Sequence, residues 1–210
     1  MLSIMPYRST ERTRQKKDAK RSALMQAAVR VFAEKGYHAA TIRDIVAAAG
    51  VAVGTFYFYF PDKETLFVYL YEETAEFLLQ ALQQAVASRA TLPKQIQAAV
   101  QAYVNIGIFE PAVVSLLLVG GVGALPALVA RRAEFREGLI NVWQRPLDRA
   151  LDQAFISPQN TRRTAEALAG AFDENVLQLL EQPDAQKEAA AAIADMTSFA
   201  LRAVGYSGTY

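Results

Sequence analysis

Apolar side chains recur every three or four positions along most of the chain, which is the period of amphipathic helices. Helices are predicted over residues 17–35, 62–87, 92–109, 111–119, 126–155, 160–181 and 184–204. No segment shows sustained apolar and polar alternation, the signal that a half-buried strand would give. The pattern therefore predicts an all-α protein.

Two shorter helices are predicted between residues 41 and 60. Thr41 precedes an apolar run and Asp44 lies three residues after Thr41, which is the pattern of an N-cap with a capping-box partner. Gly50 then ends the first short helix, because glycine readily adopts the left-handed backbone of a tight turn. The second short helix spans about 53–59, with Phe56 and Phe60 turned inward at helical spacing.

This arrangement describes a helix-turn-helix, in which two short helices bend at a glycine and pack on a longer preceding helix. The order of the helices suits a second short helix that enters a major groove by its N-terminal end. We expect a flexible basic arm over residues 1–16 and a three-helix DNA-binding domain over 17–63. A second helical domain is expected over 64–210.

Charge is distributed unevenly, although the whole chain carries a net charge of only +1. Residues 1–66 hold eleven lysines and arginines against six acidic residues, a net charge of +5, and the remainder has a net charge of −4. A basic head on an acidic body indicates that only the head meets a polyanion. The arm from Arg8 to Lys20 either contacts phosphates or is a solvated tail, and both interpretations stay open.

Several classes of protein are disfavoured by composition. The chain has no cysteine, and its only histidine, His38, lacks a second ligand at metal-binding spacing, so we expect no metal and no cofactor. No phosphate-binding glycine loop or nucleophile elbow is present. Carboxylate pairs such as Asp173 and Glu174 are interpreted as solvated helix faces. We therefore expect a protein that is not an enzyme.

An uncharged run from residue 111 to 130 has the length of a membrane span. Three glycines and a proline interrupt its middle, so two short buried helices joined by a glycine-rich turn explain it better. That turn, residues 120–123, is a candidate for a helix shift on ligand binding. No secretory signal is apparent either, and we expect a cytoplasmic protein without membrane association.

The motifs of residues 32–64 resemble the tetracycline-repressor (TetR) family of transcriptional regulators. The resemblance rests on FAEKGY at 32–37, TIRDI at 41–45, Gly50-Val51 and GTFYFYFPDKE at 54–64. It covers about residues 17–70, about a quarter of the chain, and implies a homodimer that binds an operator in double-stranded DNA. It also implies regulation by a small-molecule effector, most simply a repressor that the effector releases from DNA.

The resemblance further implies roles for individual residues in DNA binding. Thr41 would bring its hydroxyl and its helix N-terminus to a phosphate, and Arg43 would reach a guanine edge in the groove. Recognition-helix contacts fall on Thr55 and Tyr57, and phosphate contacts on Tyr59 and Lys63. Residues 51–53 offer no hydrogen-bonding side chain, so we hypothesise that specificity depends on DNA shape and on few direct hydrogen bonds.

For the second domain, the sequence suggests a pocket and a dimer interface. The middle helices combine large apolar residues with few polar ones, which suits a largely apolar effector. The candidate pocket residues are Tyr103, Asn105, Phe109, Asn141 and Trp143. Resemblance places the dimer interface on the stripes of the last two helices, at Leu168, Phe172, Val176, Leu179, Ile193, Met196 and Ala200. The simpler alternative is that both stripes pack into the chain's own core.

A function of another class is also compatible with the sequence. The chain would then be a helical binding protein whose basic N-terminal head binds an acidic protein or a membrane surface instead of DNA.

Overall fold

The computed structural model describes residues 11–120, 123 and 125–208, and these residues form helices and turns with no strand. The predicted all-α fold is therefore confirmed. The chain separates into two compact units, residues 1–70 and 71–210. The helices in chain order are α1 (Glu11–Ala39), α2 (Ile42–Ala49), α3 (Val53–Tyr59), α4 (Lys63–Ala87), α5 (Leu92–Phe109), α6 (Pro111–Ser115), α7 (Leu128–Asp152), α8 (Thr161–Leu180) and α9 (Ala185–Ala203).

The first helix is longer than its apolar period predicted. It begins at Glu11 rather than at Lys17, so residues 11–16, expected to be part of a flexible arm, are helical. The rest of the predicted arm, residues 1–10, lies outside the described residues. Gly36 has a φ of 72° and interrupts the helix where a stop was predicted, and a short helical turn continues to Ala39.

The first unit packs α1, α2, α3 and the beginning of α4 around an aromatic core. Phe32 and Phe67 meet edge to face with ring centroids 4.6 Å apart, and both are buried. Asp62 caps α4 as predicted, since its Oδ1 accepts the N–H of Thr65 at 2.7 Å. The other apolar side chains of this core are Leu24, Ala28, Val31, Ile45, Val46, Phe56, Phe60, Leu66 and Leu70.

The second unit is built mainly from α5, α7, α8 and α9, whose bounds lie within about two or three residues of the predicted ones. Gly107 on α5 allows close packing on α8, because a Cβ at this position would lie 3.0 Å from Cγ1 of Val176. The predicted helix over 111–119 differs from the observed one. Its second half, Leu116–Gly120, is a π-helix, a form that the apolar period does not distinguish from an α-helix.

The apolar stripes of α8 and α9 lie mostly in the core of the second unit, and their assignment to the dimer interface stays a prediction. Six of the seven residues are buried within the single chain, namely Leu168, Phe172, Val176, Leu179, Met196 and Ala200, and Ile193 is half-buried. Side chains that are this deeply buried within one chain offer little area to a partner. The sequence period identified the buried face correctly but not what covers it.

Within the described residues, no single helix combines the length and hydropathy of a membrane span. Two bent pairs of helices, α2 with α3 and α5 with residues 111–120, satisfy that test only when each pair is joined.

Candidate nucleic-acid interface

The bend between α2 and α3 is made by Gly50. Its φ of 64° and ψ of 34° are left-handed, and its N–H donates to the carbonyl of Ala47 at 3.2 Å. The N–H of Val51 donates to the carbonyl of Val46 at 3.0 Å. These two bonds give carbonyl groups at the end of α2 a hydrogen-bond donor, in the manner of a Schellman motif. The two helix axes differ in direction by 104°. The predicted helix-turn-helix is therefore present.

A capping box fixes the start of α2. The N–H of Asp44 donates to Oγ1 of Thr41 at 3.1 Å, and the N–H of Thr41 donates to Oδ2 of Asp44 at 2.9 Å. Lys35 on α1 donates to Oδ1 of the same carboxylate at 2.8 Å. The hydrogen bonds from Lys35 and Thr41 lower the pKa of Asp44 to about 2, so it is ionised at neutral pH.

This cap competes with the phosphate contact that resemblance implied for Thr41. The hydroxyl of Thr41 donates its only hydrogen to Oδ2 of Asp44 at 2.8 Å, while a phosphate oxygen requires a donor. The N–H groups of Ile42 and Arg43 are the donors that this helix end offers instead. A phosphate contact from the Thr41 hydroxyl would require the hydroxyl to leave Asp44.

The side chains expected to reach the DNA bases lie on the outside of the first unit. Arg43 is exposed, Tyr57 is 56% exposed and Thr55 is half-buried. Tyr59, expected to bind phosphate, is also half-buried. Phe56 and Phe60 point the other way and are 0% and 5% exposed, so the prediction that they are core residues is confirmed.

Lys63 is engaged within the first unit. Its ammonium donates to the carbonyls of Tyr37 at 2.7 Å and Ala40 at 2.9 Å, and it lies 4.3 Å from the ring centroid of Tyr37. It therefore fastens the end of α1 to the start of α4. One of its three N–H donors is left for the phosphate contact that resemblance implied.

Two exposed apolar residues lie on the outside of α3, and only one of them, Val53, was noted from the sequence. Phe58 is 64% exposed and Val53 is 45% exposed. The helical period could have identified Phe58, because it follows Phe56 by two positions and so points away from the side that Phe56 buries. The exposed surface of the second short helix is therefore largely apolar and aromatic.

The candidate pocket residues do not line one common cavity. Tyr103 and Trp143 are buried in the core of the second unit, where Trp143 meets Phe172 with ring centroids 4.7 Å apart. Asn105 is half-buried, and Phe109 at the end of α5 is 69% exposed. Asn141, bonded to Glu137 on its own helix, lines a small cleft of about 200 Å³ between α4 and α7. The pocket assignment as a set therefore stays a prediction.

A polar cluster that the sequence did not reveal joins three helices of the second unit. The carboxylate of Asp173 on α8 accepts two hydrogen bonds. One comes from the hydroxyl of Tyr103 on α5 at 2.7 Å, and the other comes from Nη1 of Arg136 on α7 at 2.5 Å. Asp173 is only 16% exposed, so its interpretation as a solvated carboxylate was wrong. Burial raises the pKa of Asp173, although its bonds to Tyr103 and Arg136 act in the opposite direction.

Metal ligands are not clustered in the described part of the chain, where no three acidic or histidine side chains stand close enough to share an ion. Larger clefts open on the second unit at three places. The first, of about 530 Å³, lies between the start of α5 and the end of α9, and the second, of about 440 Å³, lies between α4 and α7. The third, of about 520 Å³, lies between the end of α8 and the start of α9. The floor of the second cleft includes Tyr71 and Phe135, whose rings meet edge to face at 6.3 Å.

Comparison with known proteins identifies the first unit. A family model described as bacterial regulatory proteins of the tetR family matches residues 24–70. The fatty acid metabolism regulator of Bacillus subtilis is 34% identical over 73 residues, which cover 35% of this chain and 38% of that protein. The transcriptional repressor KstR2 of Rhodococcus jostii is 36% identical over 80 residues, covering 36% of this chain and 39% of that protein. These alignments span less than two fifths of either relative.

Solved structures show the same fold over most of the chain. A regulatory protein of the tetR family from Rhodococcus RHA1 superposes with a TM-score of 0.76 at 24% identity, covering 90% of this chain and 98% of that one. FadR of Bacillus subtilis, solved in complex with stearoyl-CoA, superposes with a TM-score of 0.72 at 21% identity over 85% of this chain and 98% of that one. At these identities the likeness concerns the fold alone.

A basic helix-turn-helix unit of this kind is typical of proteins that bind DNA. Residues 24–70 carry the DNA-binding region of the TetR family of bacterial regulatory proteins. This family consists of regulators and not of enzymes, in agreement with the expectation from the sequence.

Proposed function

We propose that this protein is a dimeric repressor that a small, largely apolar effector releases from its operator. The observation that carries the proposal is the bend at Gly50, which leaves Arg43 and Tyr57 on an outward surface of a basic unit. An outward guanidinium beside a short recognition helix suits base contacts in a major groove. As a regulator of transcription the protein would act in the cytoplasm.

DNA binding is tested with the region upstream of the protein's own coding sequence in a mobility-shift assay. R43A should weaken specific binding about 5- to 150-fold, the 1–3 kcal/mol of a bidentate base contact. Arg89, exposed in the turn after α4, provides the matched control, because R89A removes the same charge outside the first unit. Equal affinities of R43A and R89A would contradict the assigned role of Arg43. Binding to anionic vesicles without DNA binding would favour the alternative function.

The class of effector is inferred from the relatives and from the apolar interior of the second unit. One relative regulates fatty acid metabolism, and one structural neighbour was solved with stearoyl-CoA. We therefore propose an acyl-type effector and name stearoyl-CoA as the first probe, with free coenzyme A as its control. Trp143 is the only tryptophan and is 3% exposed, so its emission reports binding inside this unit. Release of DNA by stearoyl-CoA alone supports the proposal, and an unchanged complex contradicts this choice of effector.

For the dimer we propose the exposed faces of α8 and α9 in place of the buried stripes. Phe199 on α9 is 47% exposed, and Ala167 on α8 is also exposed and small enough for close helix approach. An isologous contact of this kind buries the same patch on both protomers. F199D should shift the protein from dimer to monomer in light scattering, whereas F109D, at another exposed phenylalanine, should not. A wild-type protein that is monomeric at micromolar concentration would contradict dimerisation.

A further inference from the structure

The outer surface of α3 is unusually apolar for a helix that faces solvent. Phe58, Tyr57 and Val53 are 64%, 56% and 45% exposed, and all three belong to one helix of seven residues. Single exposed apolar residues are ordinary on protein surfaces, but a contiguous patch marks a binding surface.

Phe58 is the side chain of α3 that points most directly outward. Phe56 fixes the inward direction of α3, because it is buried, and Phe58 lies two residues further along the same helix. Two residues correspond to a rotation of about 200° around the helix, so Phe58 projects from the opposite side. Its ring also meets that of Tyr59 edge to face at 4.9 Å, with 89° between the ring planes, a contact that favours one orientation of the ring.

The chemistry of this surface fits one feature of DNA. In the major groove only thymine presents a methyl group, and an apolar side chain reads thymine through it. Ala52 and Val53 have no hydrogen-bonding side-chain group, and Thr55 is half-buried, so this surface can form few direct hydrogen bonds to base edges. The patch is continuous with the helix-turn-helix that carries Arg43, in the part of the chain with a net charge of +5. These features favour DNA over a second protein as its occupant.

We propose that Phe58 reads thymine methyl groups in the major groove of the operator and so determines part of its sequence. This inference rests on the proposed function, in which the first unit binds DNA. A methyl group buried against the ring contributes about 0.8 kcal/mol, which corresponds to about fourfold in affinity for each thymine contacted.

The experiment replaces thymine by uracil, which removes only the methyl group. A duplex selected from a randomised pool by the full-length protein is prepared with one uracil at a time, and dissociation constants are measured. The affinity of the wild type should fall about fourfold when uracil replaces one of the one or two thymines in contact with Phe58. F58A should bind the thymine duplex more weakly and be indifferent to uracil there, whereas F58L should keep part of the difference. Phe109, equally exposed but in the second unit, supplies the control F109A, which should behave like the wild type.

The outcomes separate this inference from the proposed function. Selective DNA binding that no uracil weakens would overturn the reading of thymine by Phe58 while leaving the regulator intact. The same holds if wild type and F58A respond equally to every uracil, because the methyl group would then be read by another residue. Failure to select any sequence from the pool would overturn the proposed function, and this inference with it. Circular dichroism of F58A checks that its fold is unchanged.

Discussion

Replacing Tyr103 by phenylalanine removes a single oxygen from the polar cluster of the second unit. The hydroxyl of Tyr103 is one of two partners of the Asp173 carboxylate, at 2.7 Å, and the tyrosine side chain is completely buried. Burial, together with the adjacent charge of Asp173, raises the pKa of Tyr103 well above its usual value, so the hydroxyl is protonated and donates at any physiological pH. In Y103F the carboxylate oxygen loses this donor.

The expected loss follows from the exposure of the two groups. A hydrogen bond to a charged acceptor contributes about 1.5–3 kcal/mol. Asp173 is only 16% exposed, so water replaces the lost donor poorly, whereas Arg136 is 41% exposed and its ion pair is partly screened. We therefore expect Y103F to lower the free energy of unfolding of the second unit by about 2 kcal/mol. This corresponds to about a thirtyfold change in its unfolding equilibrium.

The assay is urea unfolding followed by tryptophan emission. Trp143 is the only tryptophan in the sequence, and it packs against Phe172, the residue next to Asp173. Its emission therefore follows the second unit without assuming that both units unfold together. The matched control is Y71F, because Tyr71 is also buried but its hydroxyl makes no hydrogen bond within the described residues. Equal losses in Y103F and Y71F would contradict this prediction, since the hydrogen bond to the Asp173 carboxylate would then contribute nothing.

Three further predictions concern stability. G50A should destabilise the first unit by about 1 kcal/mol, because alanine is strained in the left-handed backbone. G54A should instead stabilise it by about 0.5 kcal/mol, because Gly54 is helical and has open space around it. Thermal unfolding by circular dichroism compares the two variants, and equal shifts in their unfolding temperatures would contradict the strain assigned to position 50. T41A should cost about 1 kcal/mol through loss of the capping box, with T41S close to wild type in the same measurement. The pKa of Asp173 is raised in the folded state, so its stabilisation is present below its unfolded pKa and is lost as pH rises through its folded pKa. The unfolding free energy of D173N relative to wild type should therefore increase as pH rises through that range, and a constant difference from pH 3 to pH 7 would contradict the raised pKa.

The short helices of the first unit could be predicted almost to the residue because their boundaries are set by local chemistry. The cap of Thr41 and Asp44 involves residues three positions apart, and the stop at Gly50 needs only a backbone that glycine adopts without strain. The helix α3 was predicted over 53–59 and is observed at Val53–Tyr59. Such signals do not depend on what the rest of the chain does.

The partners of the buried faces could not be predicted, because the apolar period of a helix carries no information about them. Leu168, Phe172 and Val176 recur at the spacing expected of either an intrachain core or an interface between protomers. Asp173 shows the same limit for a polar residue. Its partners Tyr103 and Arg136 are 70 and 37 residues away along the chain, and only the packing of three helices brings them together.

The residues that the resemblance assigns to phosphate contacts illustrate a further difficulty, since one donor cannot serve the fold and the DNA at once. Thr41 gives its only hydroxyl hydrogen to Asp44, and Lys63 gives two N–H groups to the carbonyls of Tyr37 and Ala40. A variant such as K63A would therefore weaken DNA binding even if Lys63 never touched a phosphate, because the end of α1 would lose its attachment to α4. The salt dependence of binding separates the two roles. A lost phosphate contact reduces the slope of log affinity against log salt by about one, whereas a loosened scaffold lowers affinity and leaves that slope unchanged.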